Sequence, residues 1–238
     1  MDDSKDLRYL TCEKYYVFEM LILVAGMMGA YTFNLRGGVF CNAQTANIVL
    51  MGIAFGKGYL GQGFYYFIPL SAYIAGTVIS ELFPKQVRKI HFLRWDTYLI
   101  GFEIFSFFLI GFIPLSAPVQ IVQVMINFIC SMQYNTFRQA EGIPMATTFL
   151  TNHIRQMGVW LTKAVVHKQD GAWKVFSRHF RMVSFFFLGG FILTLFCDML
   201  KEKAIWIAII PLMVIFVIMS IADRTQEKEY LSQKPHGH

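Results

Sequence analysis

Two short stretches gather amides and hydroxyls inside otherwise apolar surroundings. The first is Gly37-Gly38-Val39-Phe40-Cys41-Asn42-Ala43-Gln44-Thr45-Ala46-Asn47-Ile48-Val49-Leu50-Met51-Gly52. The second is Thr151-Asn152-His153-Ile154-Arg155-Gln156-Met157-Gly158, in which Thr, Ile, Met and Gly recur at the spacing of Thr45, Ile48, Met51 and Gly52, 106 positions later. On a helical wheel the polar groups of the first stretch point in several directions, so no lipid-facing stripe is left. The two stretches are read as an internal repeat and as the site.

The chemistry they suit is binding of a small polar or anionic solute. Gly37-Gly38 and Gly142-Ile143-Pro144 supply a backbone break ahead of each stretch. Such breaks survive at membrane depth only where protein or water covers them. Asn42, or Thr147 and Thr148 in the second copy, can cap the helix that follows. Two helix N-termini facing each other near midplane would present free N–H groups and positive dipole ends to a solute. Thr147, Thr148, Thr151 and Arg155 fall within about 100° on one helix face, with Asn152 beside them. Arg155 either lines a water-filled pathway or snorkels to the basic loop after it. Gln133 and Asn135 extend the pathway or, with Asn127, bond neighbouring helices, and interhelical bonding is also the alternative role for the Asn and Thr residues. The expected solute-binding set is Asn42, Thr45, Asn47, Gln133, Asn135, Thr147, Thr148, Thr151, Asn152 and Arg155. Glu103, an acid inside an apolar segment, is a proton-coupling candidate or the partner of a basic side chain such as Arg155.

The elements that must position these groups follow from composition. Of the 238 residues 55% are hydrophobic and only 15% charged, against about 25% in soluble domains. The apolar residues come in blocks of about 20, the length of a membrane span. The expected fold is an all-α polytopic bundle with the lipid bilayer as its partner. The net charge of +6 is ascribed to basic loops between spans rather than to nucleic-acid binding. The four Cys show no paired spacing and read as small hydrophobes. A cleavable signal peptide is not expected after a polar start containing acids. No Walker A loop, zinc-binding helix, nucleophile elbow or dinucleotide fingerprint occurs, and no cofactor or metal is expected.

Along the chain, a polar cytoplasmic tail (1–14) precedes spans near Tyr15–Leu35, Phe64–Leu82, Thr97–Ile113, Val119–Phe137, Val183–Leu200 and Ala204–Ala222. A cytoplasmic tail (223–238), expected to be disordered, follows. The 106-residue offset maps the first span on the fourth and the third on the last, giving repeats at 15–113 and 119–222 of a membrane domain covering 15–222. Basic loops at Arg88 and at Lys168–Arg181 fall on one side if neither motif stretch crosses fully. Six full spans plus two re-entrant or broken helices, in halves of opposite orientation, is the arrangement the charges favour. The sequence is open to a homo-oligomer.

Gly26-Met27-Met28-Gly29-Ala30-Tyr31-Thr32-Phe33, the first stretch, Met132-Gln133-Tyr134-Asn135 and Ala146-Thr147-Thr148-Phe149-Leu150-Thr151 together resemble the YoaK-like family of uncharacterised multi-pass membrane proteins. Gly29 stands where members usually carry Asp, and Ala46 and Asn152 where they carry Gly. The resemblance implies a cell-membrane location and no particular activity. A transporter or channel-like facilitator is the leading expectation. One rival is a membrane enzyme acting on a lipid-linked substrate through His153 with Glu103 or Glu141; another is a non-catalytic scaffold with no cavity and fully paired polar groups.

Overall fold

The structure, a computed structural model, describes residues 9–42 and 44–236. Most of the polar N-terminal tail, Ala43 of the first stretch and the last two residues therefore lie outside the described residues. The fold is all-α: α1 (Tyr15–Leu35), α2 (Gln44–Gly56), α3 (Leu60–Val87), α4 (Trp95–Ile110), α5 (Val119–Thr136), α6 (Thr151–Val165), α7 (Ala172–Leu200) and α8 (Ile209–Arg224). A two-residue hairpin pairs Gln139–Ala140 with Ile143–Pro144, and a 3-10 turn at Lys201–Ala208 joins α7 to α8. Tyr15–Leu35, Leu60–Val87 and the run Ala172–Arg224 are long and apolar enough to cross a membrane. The 13 residues of α2 rise only about 20 Å at 1.5 Å each, short of a hydrocarbon core about 30 Å thick.

α1 is apolar apart from Glu19, Thr32 and Asn34, lacks Pro, and is buried over most of its length. It ends where Arg36 N–H closes on Thr32 O and Gly37 and Gly38 take φ of 95° and 68°. Only glycine adopts that region without strain, so the chain can turn back into the bundle there. α1 packs chiefly on α7 and α3 chiefly on α5; α2 lies along α3, α6 along α7, and α4 against α8. Glycine sets the closest crossings. A Cβ at Gly189 would stand 2.0 Å from Leu23 O, one at Gly26 2.0 Å from Phe186 O, and one at Gly76 2.4 Å from Phe128 O. Small residues at helix crossings allow this approach where lipid supplies no hydrophobic drive.

Two expectations change. α7 begins at Ala172, well before Val183, so much of the second basic loop is helix. Its charges are accommodated by pairing: Arg178 Nη2 donates to Glu141 (2.6 Å) and Arg181 Nε to Glu19 (2.7 Å). The C-terminal tail is docked rather than disordered. Asp223 accepts from Arg94 N (3.0 Å) and Thr97 Oγ1 (2.7 Å), Glu227 from Thr11, and Glu13 from His236.

Candidate functional site

After α1 the chain folds inward along its own helix. Arg36, fully buried, fixes the turn by donating to Ile113 O (2.5 Å), Pro114 O (3.0 Å) and Tyr31 Oη (3.1 Å). By Asn42 the chain has reached Ala25, midway along α1. The Asn42 amide donates to Ala25 O (3.4 Å) and to Thr148 O (2.9 Å). α2 then starts at Gln44, which donates to Asn127 Oδ1 and accepts from Asn47 Nδ2 (3.1 Å). The line of amides continues outward, Asn127 to Gln123 O (2.7 Å) and Gln123 to Arg36 O (2.8 Å). Cys41, Asn47, Tyr65, Gln123 and Asn127 border a cavity of about 130 Å³.

The second stretch enters from the other end. Glu141 and Gly142 turn the hairpin at φ of 47° and 80°, and Met145 to Thr148 run inward, buried. Gln133 Nε2 donates to Thr147 O (3.1 Å). His153 bonds Ala146 O through Nε2 (2.8 Å) and His179 Nδ1 through Nδ1 (2.9 Å), which ties the start of α6 to α7. Thr147 Oγ1, Thr148 Oγ1 and Gln133 Oε1 are buried and have no hydrogen-bond partner among the described residues. A second cavity of about 260 Å³ lies against this stretch, bordered by Tyr134, Asn135, Ala146, Phe149 and Asn152.

Of the expected residues, Asn42 meets Thr148 and Gln133 meets Thr147 in the interior, and Asn47 is buried beside Gln44. Thr45, Thr151 and Arg155 are exposed, and Arg155 donates to the half-buried Asn152 (3.0 Å). The helical period explains the split. In α2 and α6 the inward positions near the start are Asn47 and His153, and residues two places away lie roughly 200° around the helix. Asn135 turns to Ser80 Oγ (2.8 Å) and Glu81 (3.0 Å) at one end of the bundle. Glu103 is fully buried in α4 with neither carboxylate oxygen partnered among the described residues, so it makes no ion pair with Arg155. Neither His153 nor Glu141 meets the other as an acid/base pair: their partners are His179 and Arg178.

Gln44, Gln123, Arg36 and His179 were not in the expected set. Gln44 stood in the motif itself and Arg36 beside its glycine break, so both were open to notice. His179 was hidden in what read as loop.

Among known families, the profile described as "Protein of unknown function (DUF1275)" matches residues 17–218. The UPF0700 transmembrane protein YoaK of Bacillus subtilis (strain 168) is 24% identical over 216 residues, covering 87% of this chain and 92% of that protein. No solved structure matches the chain.

Proposed function

The chain belongs to the DUF1275 family, and from that premise we propose that it is a membrane facilitator or transporter for a small polar or anionic solute, bound where the two broken segments meet. The observation that carries this reading is the Asn42 amide on Thr148 O at 2.9 Å, beside threonine hydroxyls with no hydrogen-bond partner among the described residues. Asn47 supplies its second amide N–H, Thr147 and Thr148 their hydroxyls, and Asn42 and Gln133 their carbonyl oxygens. The amino ends of α2 and α6 add free N–H groups and the positive ends of their dipoles. A scaffold would have no reason to keep buried hydroxyls unpaired, since each costs about 1–3 kcal/mol.

An inverted repeat is the architecture this proposal assumes. Asn42 and Thr148 are separated by 106 positions, the spacing of the two motifs, and so are the inward-facing Asn47 and His153. Contact between equivalent positions is what a pseudo-two-fold axis through the site would produce. The packing of α1 on α7 and of α3 on α5 is likewise exchanged by pairing α1 with α5 and α3 with α7. On this reading six helices cross the cell membrane, α2 and α6 are half-spans, and both termini are cytoplasmic. Glu103, enclosed and unpartnered, is the proton carrier that couples solute to the proton gradient.

Swelling of proteoliposomes in chloride, nitrate, formate, glycerol and urea tests the proposal. At least one probe should enter faster than in protein-free vesicles. Asn42→Ala and Thr148→Val should each slow it roughly tenfold, the loss of about one hydrogen bond to solute. Unchanged rates in both variants remove the site; no entry of any probe removes the transport reading.

A further inference from the structure

We infer that the groove between α3 and α4 is a binding site for an anionic phospholipid, headgroup at the end of the bundle where Glu13 meets His236. α3 leans on α5 and barely touches α4. The gap is an apolar groove of about 450 Å³ whose walls and floor include Ile79, Phe83, Val87, Tyr98, Phe102 and Phe128. Phe83 is 50% exposed and Phe102 41%, so its rim opens sideways to the hydrocarbon. The volume falls in the range of ordinary ligand sites, and in a bilayer the material facing such a rim is an acyl chain.

The charge next to the groove selects the lipid. Trp95 borders both the groove and a polar cleft at the helix ends. Five basic side chains (Lys85, Arg88, Arg94, Arg138 and Lys234) line that cleft, against two acids, Glu81 and Asp96. The acids are already engaged by Arg138 and by Arg94 (3.3 Å). Lys85, Arg88 and Lys234 therefore face the cleft with no carboxylate in ion-pair range among the described residues. An uncompensated positive cleft adjoining an acyl-sized groove fits a phosphodiester headgroup with its chain, as basic pockets between spanning helices do. A zwitterionic headgroup would bring its own ammonium against the same cations.

The test uses the full chain in nanodiscs of phosphatidylcholine with a minor share of phosphatidylglycerol, and reads co-released lipid by native mass spectrometry. Phosphatidylglycerol should be retained about tenfold over its share. Lys85→Ala with Arg88→Ala, both away from the packed core, should abolish the preference. Val87→Trp, which fills the groove while keeping the charges, should lower retention as well. Excess glycerol 1-phosphate should not displace the lipid. Retention in proportion to bulk composition, a preference surviving both variants, or displacement by the free headgroup would overturn the assignment. None of these readouts depends on solute flux.

Discussion

Thr147 and Thr148 each hold a hydroxyl in the bundle interior without a partner among the described residues, an arrangement that costs stability and is explicable if a solute completes it. Thr147→Val, the same shape without the hydroxyl, should therefore leave thermal stability unchanged or raise it by up to about 1 kcal/mol while cutting flux. A drop in both would mark the hydroxyl as structural. Glu103 poses a similar choice with a larger charge at stake, because an isolated acid in a membrane interior is expensive and by default functional. Glu103→Gln should abolish uphill accumulation driven by a pH gradient but spare solute exchange at equilibrium; accumulation that persists would exclude it as proton carrier. At this scale the sequence was half legible. The presence of intramembrane Asn, Thr and Glu was plain, but the choice of face was not. Thr151 and Arg155 formed the most polar stripe of α6, yet that helix packs on α7 through His153 and Ala164, and packing overrode polarity.

The helices are placed by where their backbones touch, and the glycines show it. At Gly189 an added Cβ would strike Leu23 O at 2.0 Å, whereas at Gly158 it would meet open space. Gly189→Ala should destabilise the protein by about 1–3 kcal/mol and Gly158→Ala should not, as thermal unfolding in detergent will register. The start and stop of α1 could be read from its long apolar run and the Arg36-Gly37-Gly38 end. The start of α7 could not. Arg178 and Arg181 look like loop residues, but ion pairs to Glu141 and Glu19 on distant segments let the helix carry them. The docked tail was illegible for the same reason: Asp223 and Glu227 find partners near the start of α4 and the chain start, and no local pattern announces a contact across more than a hundred residues.

Taken whole, the molecule has two ends. Arg36, the turn at Pro114 and the 3-10 turn at Lys201 gather at one; the chain start, Arg94, Arg138, Arg178 and the tail gather at the other. On the proposed function, α2 and α6 reach one site from these opposite ends. Membrane-impermeant thiol labelling in sealed, oriented vesicles tests it with Lys57→Cys after α2 and Lys168→Cys after α6. The background is quiet, because all four native Cys are buried, and burial, reinforced by the nearby Asp96 carboxylate, pushes the Cys12 thiol well up. The account predicts labelling of Lys57→Cys from outside only and of Lys168→Cys from the cytoplasmic face only. Labelling of both from the same face would mean that at least one of the two segments crosses, and would contradict it.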